Sequence, residues 1–464
     1  MEDQPIYTPA DSEDDKPLTR RHYLTENGST TLTDFLETNP LIQYVRYQWV
    51  DYSGVLRTRL LSKSHCLSLA SDEKPVVLGP CAHTCLVNNT IFEWSAIGID
   101  NLYPDWKSLH RINTGREGHR YASVMCWTNE PRGDEKDAAC EHCPRTALRN
   151  VLRQAKNIHG LDILIGFEVE FMLMSKSEDG VRHQLLQNGG VWTASFCRTE
   201  AFACLEACVD TLRSMDVPIH QFHSEGRSGQ LEISLAPLPP MEAVDTLILT
   251  HEVIKNVAFK YGHEATMYPK PFADHPANGA HTHISIRPHH AEAHFLAGLL
   301  QRLPVLCAIT MPTPESYVRV KGVEAGDWVA WGTQNRTVPI RKVGPGHWEL
   351  RFFDAMANMY LALAACIGAG LLGISNQEEL RWGDCHDWCA RMSDEARGAC
   401  GIVEQLPSSR VDAVRRLKEG KGKLEEMLPA SLLDRYVRLK EWEDDIFRSM
   451  DAETIRNLYM KKMD

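Results

Sequence analysis

Two glutamates separated by one residue in an apolar segment give the first chemical signal in this sequence. Glu168 and Glu170 lie within residues 161–174, whose length and apolar composition are typical of a buried strand. Because side chains alternate between the two faces of a strand, both carboxylates share one face. Burying them together is costly unless a positive group lies between them. The pair therefore indicates a cation site, with a half-exposed strand carrying two solvated glutamates as the alternative.

Three more segments place polar side chains on one face of a predicted strand. Glu225 precedes a strand that carries Glu232, and two later segments read GAHTHISI and HWELRFFD. The polar side chains of those two segments are His281, His283, Ser285, His347, Glu349 and Arg351. One such segment alone is more typical of a strand with a solvated face. Four of them in one domain favour a convergent cavity rich in carboxylates.

The ligand types indicate which metal such a cavity would hold. The candidate ligands are Glu168, Glu170, Glu225, Glu232, His281 and Glu349. These are mainly hard oxygen donors, which suit Mg²⁺ or Mn²⁺, and six of them suffice for two ions that keep positions open for water and phosphate oxygens. A structural zinc site would use thiolates instead. Cys140 and Cys143 have no second pair at zinc-finger spacing, so we interpret them as linker thiols.

A basic segment follows in an otherwise acidic chain. Between residues 316 and 351 it carries Arg319, Arg336, Arg341 and Arg351. The forked donors of guanidinium fit phosphate and carboxylate groups, so next to a metal cluster they suit phosphoryl transfer from ATP. A solvated basic face is the alternative. The sequence has no GxxxxGK[ST] motif and no kinase motif set, so a different fold would bind the nucleotide.

The elements that must position these residues divide into two regions. Strand-like segments up to about residue 130 indicate a small β-rich domain, which begins with a hairpin around residues 51–54. After a polar linker, helix and strand patterns alternate, with helices predicted at 147–159, 199–215, 241–261 and 291–310. We predict an α+β protein with a mobile acidic arm at 1–38, a small domain at 39–137 and a catalytic domain at 138–464.

Composition argues against several classes of function. With 50 basic and 62 acidic residues the formal net charge is −12, whereas nucleic-acid surfaces need clustered basic residues. The most apolar stretch, residues 360–374, is shorter than the roughly 20 residues of a membrane helix, so we predict a buried helix and no membrane partner. The acidic N-terminus does not read as a signal or transit peptide, and the 14 cysteines are scattered, so we expect a cytoplasmic location.

Taken in order, these motifs resemble those of the glutamine synthetase family from about residue 40 onward. The matching segments are Glu168-Val169-Glu170, His223-Ser224-Glu225, Gln230-Leu231-Glu232, His281-Thr282-His283, Asn335-Arg336-Thr337 through Arg341, and Trp348-Glu349-Leu350-Arg351-Phe352. The resemblance implies an N-terminal β-grasp domain and a catalytic α/β domain. It also implies a homo-oligomer, a double ring in which neighbouring subunits share active sites.

The resemblance also implies a role for each matching residue. One metal would be held by Glu170, Glu225 and Glu232, and the other by Glu168, His281 and Glu349. Nucleotide contacts would come from His283, Ser285, Arg336, Arg341 and His347. Contacts with a glutamate-like substrate would come from Arg319, Arg351 and Gly279. Arg336 would also hold the transferring phosphoryl group, and Glu324 falls near the family's flap glutamate, which closes the site and helps deprotonate the amine.

Departures from the family pattern bear on the substrate. The family's N-G-S-G-M loop before H-x-H is replaced by HPANGA at residues 275–280, and the D-G-S-S loop with its ammonium-side aspartate is not recognisable at residues 86–94. We therefore expect a ligase that uses ATP to activate the γ-carboxylate of glutamate as an acyl phosphate. An organic amine, rather than ammonium, would displace the phosphate. The alternatives are a ligase for another acid and a non-catalytic structural or regulatory oligomer.

Overall fold

A computed structural model describes residues 28–92, 98–112, 120–129, 141–176, 182–185, 191–226, 229–273, 277–321, 325–420 and 423–463. The strands are β1 (Tyr44–Val50), β2 (Leu56–Ser62), β3 (Val76–Leu78), β4 (Asp100–Pro104), β5 (His110–Ile112), β6 (Tyr121–Asn129), β7 (Asp162–Lys176), β8 (Arg182–Gln184), β9 (Ile219–Ser224), β10 (Gln230–Leu235), β11 (Glu264–Thr266), β12 (Thr282–Arg287), β13 (Trp331–Thr333), β14 (Ile340–Gly344) and β15 (His347–Leu350). The helices are α1 (Gly28–Thr38), α2 (Lys63–Ser71), α3 (Pro144–Asn157), α4 (Glu200–Arg213), α5 (Pro240–Lys260), α6 (Glu292–Thr310), α7 (Pro314–Val320), α8 (Met359–Ser375), α9 (Asp394–Ala399), α10 (Arg410–Gly420), α11 (Ala430–Phe447) and α12 (Ala452–Met463).

The N-terminal sheet has the strand order β2-β1-β6-β4-β3, with β5 paired to β6. Strands β1 and β6 run parallel, while the other neighbours are antiparallel. The buried side chains of β1 and β6 form one core with apolar residues of α1 and α2. This mixed sheet with helices packed on it agrees with the N-terminal domain that the resemblance implies, and the helices and mixed sheets of the chain confirm the predicted α+β class.

The predicted mobile arm extends too far into the chain. Residues 28–38 form α1, and Leu32 and Leu36 on this helix are 0% and 3% exposed in the core of the first sheet. Together with Phe35 they have the spacing of one helical face, so burial of this face stabilises the helix. Residues 1–27, and the predicted boundary between 137 and 138, lie outside the described residues.

The second sheet has the order β13-β14-β15-β12-β7-β10-β9, with β8 and β11 paired to β7. Strand β7 is the long central strand that residues 161–174 predicted, and its Ile165, Phe167, Val169 and Phe171 belong to the main core. Their side chains therefore occupy one face of the strand, as the alternation requires. The opposite face is left for the polar residues of the candidate site.

The predicted helices at 147–159, 199–215, 241–261 and 291–310 correspond to α3, α4, α5 and α6, with ends that differ by a few residues. The apolar stretch 360–374 forms α8, which is buried along nearly its whole length, as predicted. Helix α6 together with the short helical turn before it, His289–Thr310, is long and apolar enough to cross a membrane, and 83% of its apolar window is buried inside the protein. Both helices thus behave as core helices.

The predicted hairpin joins the small sheet to the catalytic region. The Asp51 carboxylate oxygen Oδ1 accepts hydrogen bonds from the backbone N–H groups of Ser53 and Val55, both at 2.9 Å, and Gly54 has φ +81°. Asn358 caps α8 by accepting a hydrogen bond from the Leu361 N–H, and its amide donates to two carbonyl groups at the end of the hairpin strand. One polar side chain therefore ties the turn to the core helix.

Candidate active site

Strand pairing aligns the polar residues in four rows across one face of the second sheet. Row 1 contains His347, Ser285 and Leu164, and row 2 contains Arg341, Glu349, His283 and Gly166. Row 3 contains His281, Glu168, Ser234 and Gln221. Row 4 contains Glu170, Glu232 and His223. Successive rows are two residues apart along each strand, or roughly 6.5 Å. Side chains directly opposite each other have Cβ atoms about 5 Å apart. The register therefore brings residues that are distant in the sequence into one site.

The first cluster surrounds the imidazole of His281. Its Nδ1 atom lies 2.9 Å from Glu168 Oε2, 3.4 Å from Glu349 Oε1 and 3.5 Å from Glu170 Oε1. His283 Nε2 lies 3.1 Å from the other oxygen of Glu168. The structure thus brings together four of the six predicted metal ligands, Glu168, Glu170, His281 and Glu349.

The second cluster contains the other two predicted ligands and one that the sequence analysis did not assign. His223 Nδ1 lies 3.5 Å from Glu225 Oε2, and its Nε2 lies 3.5 Å from Glu232 Oε1. The Ser234 hydroxyl donates a hydrogen bond of 2.7 Å to Glu232. The sequence contains a signal for His223, because it lies two residues before Glu225 and side chains at this spacing in a strand share one face.

Two carboxyl groups of adjacent rows differ in the direction of their pKa shifts. Burial is the largest influence on the pKa of Glu168, but hydrogen bonds from His281 and His283 outweigh it and hold this pKa below its usual range. Burial raises the pKa of Glu170, an effect that the nearby Glu232 strengthens and His281 opposes. The positive groups near Glu170 therefore do not offset the effect of its burial on this pKa.

The donor set fits divalent cations. Glu170 and Glu232 stand directly opposite each other on adjacent strands, where like charges are destabilising without a cation. Among the described residues, the buried Oε1 of Gln230 has no hydrogen-bond partner, although its amide nitrogen donates to Glu170 at 3.0 Å. Ligand atoms lie within 4.8 Å of one another in two groups, which are Glu168, His283 and Glu349, and His223, Glu225 and Glu232. These groups differ from the predicted sets in that His283 replaces His281 and His223 replaces Glu170.

Two of the four predicted arginines pair with Glu349, and a third is hydrogen-bonded to the backbone of residues 351 and 353. Arg341 Nη1 lies 2.7 Å from Glu349 Oε2, and Arg351 forms an ion pair with the other oxygen. Arg319, which is buried, donates to the carbonyl oxygens of Arg351 and Phe353 at 3.1 and 2.8 Å. Burial acts to raise the pKa of Glu349, but the charges of His281 and Arg351 leave it below its usual range. This end of the site is therefore well supplied with positive charge.

Arg336 lies apart from that cluster, on an exposed turn between β13 and β14. Among the described residues it forms no ion pair with the clustered carboxylates. The preceding Asn335 fixes the turn, because its amide donates to the carbonyls of Cys385 and Asp387 at 2.8 and 3.0 Å and its oxygen accepts from the backbone of Thr337. The predicted catalytic residue Glu324 lies outside the described residues.

A cavity of about 340 Å³ lies beside the first cluster, over rows 1 to 3. Its volume is within the usual range for ligand sites. It is lined by Leu164, Gly166, Phe167, Glu168, His220, Gln221, Ser234, Leu235, Pro237, His283, Ser285 and His347. His283 Nδ1 lies 3.0 Å from His347 Nε2, and burial, followed by the charge of His283, lowers the pKa of His347 to about 4. The predicted nucleotide residues His283, Ser285 and His347 therefore share one cavity, which Arg336 and Arg341 do not line.

Gly279, predicted to contact the acid substrate, lies against the carboxylates. Its backbone N–H donates to Glu170 Oε2 at 2.8 Å. A Cβ atom at this position would lie 2.8 Å from His281 Nε2, so a larger residue would displace the imidazole. The neighbouring Asn278 holds the loop by donating to backbone carbonyls at residues 266 and 268.

Comparisons with known proteins relate the chain to one family. The family model described as glutamine synthetase, catalytic domain, matches residues 141–459. The chain is 34% identical over 410 residues to protein fluG of Emericella nidulans; the match covers 86% of this chain and 47% of fluG, so the chain spans about half the length of that relative. It is 28% identical over 394 residues to the gamma-glutamylpolyamine synthetase GlnA3 of Streptomyces coelicolor, covering 79% and 82% of the two chains.

A solved structure has the same fold over nearly the whole chain. It is a GmaS/ADP complex with a TM-score of 0.78 and 22% sequence identity, and the alignment covers 93% of this chain and 99% of that one. The catalytic-domain model matches more than half of the chain, and fluG is 34% identical over most of it. The chain therefore belongs to the glutamine synthetase family.

Proposed function

We propose that the protein is an ATP-dependent ligase that joins the γ-carboxylate of glutamate to an organic amine through an acyl-phosphate intermediate. Membership of the family supports the coarser assignment, an ATP-dependent ligase. The observation that carries the proposal is the arrangement of two carboxylate–imidazole clusters beside a cavity, with arginines at the far side of Glu349. Such an arrangement suits the transfer of a phosphoryl group to a carboxylate.

ATP and divalent metals are generally used in this family, and the donor set suits Mg²⁺ or Mn²⁺. The first cluster and the second cluster would each hold one ion, with Glu170 between them. When bound, the ions neutralise phosphate charge and orient phosphate oxygens. His283, Ser285 and His347 would contact the nucleotide within the cavity that they line.

The remaining charged groups would act on the reacting substrates. Arg319 and Arg351 would orient the acid, because buried guanidinium groups bind carboxylates in a fixed direction. Arg341 would exchange part of its pairing with Glu349 for the phosphates, and Arg336 would hold the transferring phosphoryl group. Glu324 would accept a proton from the attacking amine, and closure of its segment would exclude water from the acyl phosphate.

Two observations support an organic amine. The segment that supplies an ammonium-side aspartate in the family reads LVNNTIFEW at residues 86–94 and has no aspartate. The relative GlnA3 is named a gamma-glutamylpolyamine synthetase. We also propose a cytoplasmic homo-oligomer, a double ring with active sites shared between subunits, which light scattering of the purified protein would test.

The test is amine-dependent phosphate release from ATP with Mg²⁺ or Mn²⁺, measured across a panel of amines and acids with mass spectrometry of the products. We expect a γ-glutamyl amide, and a higher kcat/KM with an organic amine than with ammonium. Glu170→Ala should abolish turnover, while Glu206→Gln on the exposed face of α4 should not. Equal or better turnover with ammonium would contradict the amine assignment.

Two alternatives have distinct outcomes in the same assay. Turnover with another acid but not with glutamate would mean that the altered loop before His281 changes the acid. Nucleotide binding without turnover for any acid and amine would indicate a structural or regulatory oligomer. The retained carboxylate clusters argue against the latter, since repelling charges are a cost that a scaffold has no reason to keep.

A further inference from the structure

An exposed tryptophan borders the second cluster. The Trp192 indole N–H donates to Glu225 Oε2 at 3.2 Å, and the indole ring meets the His223 ring nearly edge-on at a centroid distance of 6.2 Å. The side chain is nonetheless 70% exposed, and the neighbouring Val191 is 44% exposed. One edge of the indole is therefore fixed on a carboxylate of the site while a large part of the ring remains open to solvent.

The backbone at this position is held in an uncommon conformation. Trp192 has φ +54°, in the left-handed region that bulky residues rarely adopt. Such a conformation is energetically unfavourable for a bulky residue, and conformations of this kind cluster at functional sites. This backbone conformation is not required to expose an aromatic side chain to solvent. The strained backbone and the bond to Glu225 together direct the indole to the edge of the site.

The position of Trp192 in the row pattern separates it from the nucleotide cavity. The cavity lies over rows 1 to 3 and includes Gln221 of β9. Glu225 follows the other end of β9, beyond row 4, about 13 Å along the chain from Gln221 at strand spacing. Trp192 therefore borders the end of the site that is opposite to His347 and Ser285.

The charges at this end favour a cation. Glu225 accepts the indole N–H and forms one group with Glu232 and His223, whereas Arg341 and Arg351 pair with Glu349 in row 2. Glu170, opposite Glu232, brings the carboxylates here to three. A divalent ion at the second cluster would neutralise two of these charges, so a negative balance remains for an ammonium group. An aromatic face attracts an ammonium group, and the same face gives alkyl carbons an apolar contact. A small ammonium ion can use only the first of these contacts.

We propose that Trp192 is a specificity-determining residue for the amine, and that its exposed indole face binds primary alkylammonium ions in preference to ammonium. This inference rests on the proposed function, because it names the class of amine that the ligase takes. The predicted substrate is a primary amine with an unbranched alkyl chain, whose carbons and ammonium group both lie on the exposed indole face.

The test compares n-butylamine with ammonium in the full-length protein. Trp192→Ala should lower the ratio of kcat/KM for n-butylamine to that for ammonium about tenfold, the scale of a partly desolvated cation–π contact, through a higher KM for n-butylamine. KM for glutamate and ATP should change less than twofold. Trp192→Phe, which keeps an aromatic face but loses the N–H group, should retain most of the preference. Phe259→Ala, which removes a 75% exposed aromatic of α5, is the matched control and should leave the ratio unchanged.

Several outcomes would overturn the inference. An unchanged ratio in Trp192→Ala, or an effect on KM for glutamate instead of the amine, removes Trp192 from the amine site. A loss in Trp192→Phe as large as in Trp192→Ala would assign the effect to the bond with Glu225 and not to the indole face.

Equilibrium dialysis of labelled n-butylamine with the metal- and ADP-loaded protein separates this inference from the proposed function. If the wild-type protein forms no amide with any amine, the proposed function fails. Binding that Trp192→Ala weakens about tenfold would then still support the amine site. Absence of n-butylamine binding to the wild-type protein would contradict it.

Discussion

At the scale of single residues, the site is a set of like charges that the fold holds closer together than they would lie in water. Glu170 and Glu232 face each other across two strands, and burial raises the pKa of Glu170. Glu349 differs, because its two oxygens already pair with Arg341 and Arg351. We therefore expect the second cluster and Glu170 to depend most on an added cation, and the surroundings of Glu349 to be stable without one.

Substitution of Glu232 tests this difference. Glu232→Gln removes one of two facing charges, so the melting temperature without metal should stay the same or rise. The stabilisation gained on adding Mn²⁺ should fall, because ligand-induced stability follows the affinity of the folded state for the ion. Titration calorimetry should show that one of two Mn²⁺ binding events weakens at least tenfold. Glu206→Gln serves as the control, and full retention of both events in Glu232→Gln would contradict the ligand assignment.

The types of the site residues could be predicted from the sequence, but their partners could not. Alternation along one strand predicts that Glu168 and Glu170 share a face. It cannot predict that Glu170 lies opposite Glu232 or that His283 lies opposite Glu349, since the register between distant strands depends on the packing of the whole sheet. Trp192 lies two residues after a Gly-Gly pair in a segment without periodicity, and only the structure relates it to Glu225.

At the scale of elements, the core helices fix the sheet that carries the site. Helix α6 packs against α8, and a glycine of each helix lies at the crossing. A Cβ atom added to Gly298 would lie 2.8 Å from the backbone nitrogen of Gly373. The two backbones therefore approach so closely that neither position has room for a side chain.

This close approach predicts a contrast between two glycines in helices. Gly298→Ala should lower the free energy of unfolding by roughly 1–3 kcal/mol, because the helices must move apart. Gly398→Ala in α9, where an added Cβ has no atom within 4 Å, should be neutral or slightly stabilising through its higher helix propensity. Urea denaturation of the two variants measures both effects. Equal stability of Gly298→Ala and the wild-type protein would show that the crossing tolerates a methyl group.

From the sequence, the presence of a helix could be predicted more accurately than the residues at which it begins and ends. The apolar periodicity placed a helix at 147–159, whereas α3 begins at Pro144, and the predicted helix at 241–261 begins at Pro240. In both cases proline occupies the first helical position, where its missing N–H is not needed. That signal was present in the sequence. The helix α1 was missed because its apolar face is only three residues long and is stabilised by the first sheet.

At the scale of the whole molecule, buried groups join the small sheet to the catalytic region. His83 of the N-terminal region forms a hydrogen bond with Thr128 and stacks on Tyr52, whose hydroxyl donates to the carbonyl of His142 at 2.6 Å. Burial, strengthened by the charges of Arg435 and His142, lowers the pKa of His83 to about 3. This histidine is therefore neutral in the folded protein.

The low pKa of His83 predicts acid sensitivity of the joined structure. In the unfolded chain the pKa returns to about 6.5, so below this pH the unfolded state takes up a proton that the folded state does not. The contribution of neutral His83 to stability is present above pH 6.5 and is lost as the pH falls toward 3. When only the unfolded state is protonated, the free energy of unfolding falls by about 1.4 kcal/mol per pH unit. His83→Gln should flatten the decrease in unfolding free energy between pH 6.5 and 5. An identical pH dependence in this variant and the wild-type protein would contradict the assignment.

The division into a small β-rich region and a larger α/β region could be predicted from composition and periodicity. The way in which the two regions meet could not, because it depends on single polar contacts such as those of Asn358 with the end of β1. These contacts join residues more than 300 positions apart, and no local pattern in the sequence encodes them.

We propose that four rows of strand residues form one chamber for divalent cations and a nucleotide. The most direct measurement is a crystal structure of the full chain with Mn²⁺ and a non-hydrolysable ATP analogue, with anomalous scattering used to locate manganese. We expect anomalous peaks at both clusters, one bordered by Glu168 and Glu349 and the other by Glu225 and Glu232, with the nucleotide in the cavity beside His283. Manganese elsewhere on the protein, or a nucleotide outside this cavity, would contradict it.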